Sequence, residues 1–439
     1  MFDAVPNLTT ASTAPLLHFE TLLRDRSAEI EAWFRTQWQQ TPAPFYCSVD
    51  LRNAGFKLAP VDTNLFPAGF NNLNPAFESL CIHAIQSALE RLMPSACNVV
   101  LVPENHTRNL FYLENVAILN DLLQKAGYQT RIGSLRPDLK APETFSLPSG
   151  KELRLEPLKR ENDYVYLDGF KPCLVLLNND LSAGRPAILE GLRQPVVPPL
   201  GLGWSNRLKS QHFAIYRDVA ADFGKLLGID PWWVDPLFRN CGQINFMKRE
   251  GEECLAANVE LLLEDVRAKY QQYGVKEEPF LIVKADAGTY GMGVMTVRSV
   301  DDIHNINRDT RKKMASAKEG KDVTGAIIQE GVYTFERWGE QQATAEPVVY
   351  MIDHFVVGGF YRVHGGRSNQ ENLNAPGAQF ERLAFAEPCT HPACGQGPDT
   401  RPNRFYAYGV VARLALLAAA REQRQALQNH QQAAVATAF

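Results

Sequence analysis

The segment with the clearest chemical signal is FLIVKADAGTYGMGVMTV, which spans residues 280–297. An apolar strand ends at Lys284, and the loop after it carries Gly288, Gly291 and Gly293 before a second apolar strand. Glycines allow backbone amides to turn toward an anion at close range, and a lysine adds a compact positive charge. The segment therefore predicts a loop that binds phosphate groups.

The order of residues separates this loop from two better-known phosphate-binding loops. In a Walker loop the glycines come first, and a Gly-Lys-Ser/Thr sequence opens a helix. A dinucleotide-binding fingerprint also opens a helix, whereas an apolar strand follows Gly293 here. One alternative needs no ligand at all, namely a β-hairpin with a flexible glycine turn.

Two later strands favour nucleotide binding over a plain hairpin. The strand AIIQEGV contains Gln329 and Glu330, which could present backbone and carboxylate groups to an adenine and a ribose. The strand VVGGFYRVH contains Arg362, a candidate for a second phosphate clamp. We predict that Lys284 and Arg362 carry the catalytic charges, because phosphoryl transfer depends on positioning and charge stabilisation.

Strand and helix patterns divide the chain into three predicted units. Apolar strands alternate with helices over about the first 180 residues, which is typical of an α/β unit with a largely parallel sheet. A segment rich in proline and glycine, 191–204, marks a boundary. The predicted units are 1–200, an N-terminal α/β domain; 201–335, a nucleotide-binding subdomain; and 336–439, the second half of the nucleotide-binding unit, which ends in a helix.

The predicted helices are 14–40, 75–93, 110–126, 208–228, 250–273, 301–318 and 404–430. The predicted strands are 97–102, 128–133, 153–158, 173–179, 279–284, 293–297, 326–332, a pair over 348–364, and 382–385.

The succession of strand, lysine, glycine loop, strand, glutamate, strand arginine and asparagine-rich loop resembles the ATP-grasp fold over roughly residues 173–385. In that fold two α+β subdomains hold ATP, and its members form amide or related bonds through an acyl-phosphate. The resemblance implies a mixed α+β and α/β architecture in which ATP and Mg²⁺ are the cofactors.

The motifs VDTNLFPAGFNNL, KADAGTYGMGVMTV and ENLNAPGAQF further resemble a proteobacterial family of glutamate–cysteine ligases. This resemblance implies that ATP drives ligation of the γ-carboxylate of L-glutamate to L-cysteine, which gives γ-glutamylcysteine and begins glutathione biosynthesis. Two alternatives stay open. One is another ATP-grasp ligase of amino acids or peptides, such as a glutathione synthetase, and the other is a non-catalytic nucleotide-binding regulatory protein.

The position of the magnesium ligands departs from the usual ATP-grasp pattern. That pattern has a Glu-x-Asn pair late in the fold, and no such pair follows Asn374. Asp62 and Asn64 lie two apart on a predicted strand, so their oxygens point to one face. This placement resembles the permuted order of the eukaryotic type of glutathione synthetase, and Asp286 is a candidate third ligand. A turn cap before Pro67 is an equal alternative for the pair.

The remaining candidates concern a lower-ranked metal set and the amino-acid substrate. The second metal set is Asp353, Glu371 and Asn374. A bidentate arginine suits the α-carboxylate of glutamate. The substrate-binding candidates are Arg52, Arg108 and Arg207 for that carboxylate, with Asn71, Asn72, Asn372 and Asn374 as polar contacts. The segment around Arg108 could instead cap a helix.

The composition limits the classes of partner. The net charge is −4, from 45 basic and 49 acidic residues, and this balance gives no support for nucleic acid or an anionic membrane as partner. No apolar run long enough to span a membrane and no signal-peptide pattern is present, so we expect a cytoplasmic protein with small-molecule substrates. The oligomeric state stays open, with a homodimer as one option. Cys389, His391 and Cys394 form a dense cluster, but without a second ligand pair a loop is favoured over a zinc site.

Overall fold

The computed structural model describes residues 8–9, 14–105, 108–288, 293–315, 323–382 and 404–436. Gly291 of the predicted loop lies outside the described residues, as do Cys389, His391 and Cys394 of the candidate zinc cluster. Within the described ranges, no helix combines the length and the apolar character needed to cross a bilayer.

The helices largely follow the predicted pattern. They are α1 (Ala14–Asp25), α2 (Ser27–Gln40), α3 (Glu78–Leu92), α4 (Leu110–Lys125), α5 (Lys209–Leu227), α6 (Glu252–Tyr273), α7 (Asp301–His304), α8 (Arg308–Ala315) and α9 (Arg404–Ala436). Two predictions of a single helix were wrong. The helix predicted over 14–40 is interrupted at Arg26, whose guanidinium donates to the Leu226 carbonyl at 3.1 Å. The helix predicted over 301–318 breaks because Asn307 caps a new helix by accepting from the Thr310 amide at 2.8 Å.

A six-stranded, mostly parallel sheet forms the α/β part of the molecule, as predicted. Its spatial order is β11-β10-β4-β5-β7-β6, and only β6 is antiparallel to its neighbour. The strands are β4 (Asn98–Pro103), β5 (Gln129–Ser134), β6 (Glu143–Ser146), β7 (Glu152–Pro157), β10 (Leu174–Asn178) and β11 (Val196–Val197), and a separate hairpin pairs β8 (Lys159–Glu161) with β9 (Tyr164–Tyr166). The apolar runs of β4 and β10 are buried throughout their centres, as expected for strands covered on both faces.

A four-stranded antiparallel sheet carries the glycine loop. Its order is β12-β15-β13-β14, with β12 (Phe238–Cys241), β13 (Leu281–Ala285), β14 (Val294–Val297) and β15 (Ala326–Glu330). Alternation along β13 sends Leu281 and Val283 into a core with α6, while Lys284 faces the other way. The sheet therefore offers one face to its own core and the other to a cleft.

A seven-stranded antiparallel sheet joins the two ends of the chain. Its strands are β1 (Leu8–Thr9), β2 (Tyr46–Asn53), β3 (Leu58–Asn64), β16 (Glu336–Trp338), β17 (Ala343–Ile352), β18 (Phe355–His364) and β19 (Gln379–Arg382). One edge of β17 pairs with β18 and the other with both β16 and β2, while β3 pairs with β2. One face packs against α9 through residues such as Val49, Val349 and Leu414. The predicted domain limits stay a prediction, but the β2–β3 hairpin of the first predicted unit shares this sheet with strands of the third.

Candidate active site

The face of the seven-stranded sheet opposite α9 presents a charged surface. The register places Asp62 opposite Asp50 on the β2–β3 hairpin, and Glu346 opposite Arg362 on β17 and β18. Directly paired residues point to the same face of a sheet. Arg362 joins the two pairs, since its Nη1 donates to Asp50 Oδ2 and to Glu346 Oε1, both at 2.7 Å. Burial raises the pKa of Asp50 above its ordinary value.

A first cavity of about 780 Å³ lies between this surface and the cleft face of the four-stranded sheet. Its charged and polar lining comprises Asp50, Arg52, Asp62, Lys209, Lys284, Gln329, Glu330, Glu346, Gln370, Asn372 and Asn374. Apolar lining comes from Val61, Ile282, Ala285, Val294 and Val332, and Gly288 completes the described part. The mixture of two lysines, several carboxylates and an apolar strip suits a ligand with an aromatic base and an anionic tail.

Lys284, the lysine of the predicted phosphate-binding loop, lines this cavity. Its Nζ donates to the Val61 carbonyl at 2.8 Å and to Gln329 Oε1 at 2.7 Å. Burial lowers the pKa of Lys284 to about 8, which means that its charge is held there at a cost. The Nε2 of Gln329 is buried and has no partner within the described part of the chain. An anion reaching Lys284 would therefore meet a cation whose two hydrogen-bond acceptors, Val61 and Gln329, are both neutral.

Lys209 is a second lysine that lines the cavity. It is 9% exposed, its Nζ donates to the Gly288 carbonyl at 2.5 Å, and it lies 4.3 Å from the centre of the Trp204 ring. Asp286 holds the same loop to the start of α5: its carboxylate accepts from the Ser210 amide at 2.7 Å and the Ser210 hydroxyl at 2.6 Å. Asp286 is thus engaged by α5 and is not among the described residues that line a cavity.

Glu330 lines the first cavity, but its carboxylate serves a buried network. It accepts from Lys57 Nζ at 2.7 Å, from Trp232 Nε1 at 3.1 Å and from the Leu237 amide at 3.0 Å. The expected contact between this carboxylate and a ribose is therefore not supported, because Lys57 and Trp232 already use its oxygens. The network instead fastens the tip of the β2–β3 hairpin to the four-stranded sheet.

A second, larger cavity of about 2150 Å³ adjoins the first and lies toward the six-stranded sheet. Asp50, Asp62 and Asn374 line both cavities, so the two meet at the charged surface. Asn71 and Asn72 also line the second cavity, and their contacts to substrate stay a prediction.

Arg362 lines the second cavity rather than the first. It is the only lysine, arginine or histidine among the described residues that line that cavity. The side chain is 7% exposed, and its Nε has no partner within the described ranges. Arg362 therefore borders the second cavity, and its role as a phosphate clamp stays a prediction.

The three arginines expected to bind a substrate carboxylate occupy other places. Arg52 donates to Glu346 Oε2 at 2.9 Å and to the carbonyls of Val332 and Glu371, so its nitrogens are engaged. Arg108 is exposed and is not among the lining residues described for either cavity. Arg207 is buried in a bidentate pair with Glu422 of α9, with nitrogen–oxygen distances of 2.8 and 2.9 Å.

Some metal-ligand candidates line a cavity, and others are engaged in ion pairs elsewhere. Asp62 projects into both cavities, and the Thr63 amide donates to its Oδ1 at 3.1 Å. Asn64 lines the second cavity and also forms the predicted turn, because its Oδ1 accepts from the Phe66 amide at 2.9 Å. The alternative set does not assemble, since Asp353 pairs with Arg91 and Glu371 pairs with Arg367. Among the described residues, no group of three or more His, Cys, Asp or Glu side chains is arranged to hold a metal ion.

Two adjoining cavities that meet at carboxylates, the first of them lined by two lysines, suit an ATP-dependent ligase. The family model for glutamate-cysteine ligase matches residues 20–423. The chain belongs to the glutamate–cysteine ligase family.

Three solved structures are similar to this chain to very different degrees. A protein from Methylobacillus flagellatus KT, provisionally named gamma-glutamylcysteine synthetase, is 57% identical, with a TM-score of 0.89 over 96% of this chain and 99% of its own. A glutathione synthetase-like effector from Globodera pallida is 11% identical over 85% and 84%, with a TM-score of 0.36. D-alanyl-alanine synthetase A from Vibrio cholerae O1 biovar eltor is 9% identical over 73% and 81%, with a TM-score of 0.32, and neither low score supports an argument about fold. No curated protein sequence matched the chain.

Proposed function

We propose that the chain is a permuted ATP-grasp enzyme that ligates the γ-carboxylate of L-glutamate to the amine of L-cysteine with consumption of ATP. The observation that carries the proposal is the meeting of the two cavities at Asp50, Asp62 and Asn374. A triphosphate in the first cavity and a carboxylate in the second would approach each other at this boundary. Membership of the glutamate–cysteine ligase family supports the choice of substrates.

In the first cavity, the phosphates would lie against Lys284, Lys209 and the amides of the glycine loop. Gly288 and Gly293 both have positive φ values, of 99° and 63°, which lets the loop turn at each end. Gly291 stays a predicted member of the same loop. The adenine would lie along the apolar strip that includes Ile282 and Val332, beside the unsatisfied amide of Gln329.

The residues at the boundary fit Mg²⁺. Magnesium uses hard oxygen ligands and is usually held by one or two carboxylates together with substrate phosphates. Asp62 and Asp50 are cross-strand neighbours that reach both cavities, and Asn64 follows on the same face as Asp62. We assign Asp62 and Asp50 as the carboxylates and Asn64 as a nearby oxygen, and we omit Asp286. When held there, the ion would supply positive charge that stabilises the phosphates during phosphoryl transfer.

On the substrate side, Arg362 would hold the reacting carboxylate, because it is the one cation among the described residues that line the second cavity. Asp50 and Glu346 fix its orientation through Nη1. A γ-carboxylate oxygen attacks the γ-phosphorus of ATP and releases ADP. The cysteine amine then attacks the acyl carbon and expels phosphate, and the amine proton is lost. No protein nucleophile takes part, and exclusion of water by the closed loop would protect the acyl-phosphate.

The proposal is tested by ADP release with defined substrate pairs. Purified enzyme with ATP and Mg²⁺ should release ADP with glutamate plus cysteine, and mass spectrometry should find γ-glutamylcysteine in equal amount. ADP release only with γ-glutamylcysteine plus glycine would replace the proposal by a glutathione synthetase. Binding of ATP without release for either pair would favour a regulatory nucleotide-binding protein.

A further inference from the structure

Among the aromatic side chains that line the second cavity, three lie on the neighbouring strands β17, β18 and β19 near Arg362. We call Tyr350, Phe360 and Phe380 the aromatic wall. Tyr350 and Phe360 have ring centroids 5.5 Å apart, and Phe360 and Phe380 meet edge to face at 5.3 Å and 85°. All three are lining residues of the cavity. The catalytic roles proposed above do not use them.

The sheet register places the wall beside the backbone position of Arg362. Phe380 on β19 lies directly opposite Arg362, and Phe360 precedes Arg362 by two residues on β18. Opposite pairs have Cβ atoms about 5 Å apart, and residues two apart on a strand are about 6.5 Å apart on one face. The wall therefore adjoins the base of the Arg362 side chain, whose guanidinium extends from there toward Asp50 and Glu346.

The wall is closed on one side by a loop that needs a glycine. A Cβ added to Gly69 would lie 2.6 Å from the Tyr350 hydroxyl oxygen and 3.3 Å from Phe360 Cε1. The backbone of that loop can thus approach the rings, and it is held there because the Asn115 side chain accepts from the amides of Gly69 and Phe70 at 2.8 and 2.9 Å. The wall has a defined shape and a limited depth.

We propose that the aromatic wall is the side-chain subsite for the amino acid whose amine attacks the acyl-phosphate, and that it selects a small thiol. This inference rests on the proposed function. The attacking nitrogen must lie at the acyl carbon beside Arg362, and a side chain of one carbon and one sulfur then extends onto Phe360 and Phe380. Sulfur is polarisable and makes favourable contacts with aromatic rings. A hydroxyl in the same place would lose its water without a comparable partner.

The degree of discrimination between acceptor amino acids follows from these contacts. Replacement of the thiol by a methyl group keeps the volume but removes the sulfur–ring contact, which is worth about two- to tenfold in an equilibrium. Replacement by a hydroxyl adds the loss of hydration, so serine should be disfavoured by about ten- to hundredfold. The order of kcat/KM should be cysteine, then 2-aminobutyrate, then serine.

The test compares acceptors on single variants at saturating ATP and glutamate. The variants are Phe380→Leu, Phe360→Leu and, as a matched control, Phe355→Leu, which changes the same residue type on β18 outside the residues that line the cavity. The measured quantity is kcat/KM for cysteine divided by kcat/KM for 2-aminobutyrate. This ratio is independent of the fraction of folded enzyme. Phe380 is 45% exposed, so its variant is expected to fold even if the Phe360 variant does not.

The inference predicts that the ratio falls about two- to tenfold in Phe380→Leu and Phe360→Leu and stays at the wild-type value in Phe355→Leu. An unchanged ratio in Phe380→Leu, or an equal fall in the control, would overturn it. Absence of turnover by the wild-type enzyme with any acceptor would instead overturn the proposed function, and this inference with it.

Discussion

The charge of Lys284 gives a prediction about nucleotide binding that depends on pH. Burial lowers the pKa of this lysine to about 8, so it is mostly charged at pH 7 and mostly neutral at pH 9 while the cavity is empty. A polyphosphate favours the charged form and raises the pKa in the complex. Binding above pH 8 must therefore take up a proton, and the affinity for nucleotide falls as the pH rises.

The magnitude follows from the fraction of Lys284 that is protonated before binding. With a pKa of about 8, roughly nine molecules in ten carry the charge at pH 7 and roughly one in eleven at pH 9. The dissociation constant of an ATP analogue should therefore increase about tenfold between these values. Removal of the charge by Lys284→Met should weaken binding at pH 7 by about 10- to 150-fold, the range for a charge-assisted hydrogen bond.

Isothermal titration with a non-hydrolysable ATP analogue and Mg²⁺ at pH 7, 8 and 9 measures the effect directly. The matched control is Lys284→Arg, because an arginine keeps its charge throughout this range. We expect a rise for the wild type and a nearly flat profile for the arginine variant. A flat wild-type profile, or an equal rise in Lys284→Arg, would show that Lys284 does not carry the phosphate contact.

Three further substitutions test the boundary between the cavities and its support. Asp62→Asn should raise the Mg²⁺ concentration for half-maximal ADP release at least tenfold at fixed ATP, because loss of one carboxylate ligand should cost about 1.4 kcal/mol or more of the ion's binding free energy. Unchanged magnesium dependence would remove Asp62 from the ion site. Arg362→Lys loses the planar, forked arrangement of donors, so kcat/KM for glutamate should fall about 100-fold while the dissociation constant of the ATP analogue is unchanged. Weaker binding of the nucleotide by this variant would instead favour a role of Arg362 in binding phosphate. Glu422→Gln leaves Arg207 buried with only a neutral partner, so the free energy of unfolding in urea at pH 7 should fall by an amount approaching about 3–5 kcal/mol. The control, Arg421→Gln on the same helix, should lower it by less than about 1 kcal/mol. Burial raises the pKa of Glu422, but Arg207 outweighs this effect and lowers the pKa to about 2. The stabilisation by the Arg207–Glu422 pair is therefore present above about pH 4.5 and is lost as the pH falls toward 2. Complete loss of this stabilisation already at about pH 6 would contradict the prediction.

The sequence was most informative where chemistry and periodicity coincide. Lys284 was predicted from its place between an apolar strand and glycines, and the structure puts it on the cleft face because strand alternation sends Val283 to the core. The parallel sheet followed from buried apolar runs such as those of β4 and β10. The family was predicted from motifs alone, and the family model confirms it.

The sequence did not predict which partner each charged side chain has. Glu330 and Asp286 had suitable residue types, but Lys57 and Ser210 approach them from more than 70 positions away in the chain. Arg207 likewise finds Glu422 on α9. Glu346 was missed because a single glutamate within an apolar strand gives no spacing signal. Its pairing with Arg52 and Arg362 appears only when β2, β17 and β18 are aligned in one sheet.

The central claim is that phosphoryl transfer occurs where the two cavities meet. A crystal structure with a non-hydrolysable ATP analogue, glutamate and Mn²⁺ in place of Mg²⁺ tests it most directly, since anomalous scattering locates the manganese. The account predicts manganese at Asp62 and Asp50, the γ-phosphate within reach of Lys284, and the γ-carboxylate of glutamate at Arg362. Manganese and the γ-phosphate bound away from Asp62, or glutamate bound away from Arg362, would contradict it.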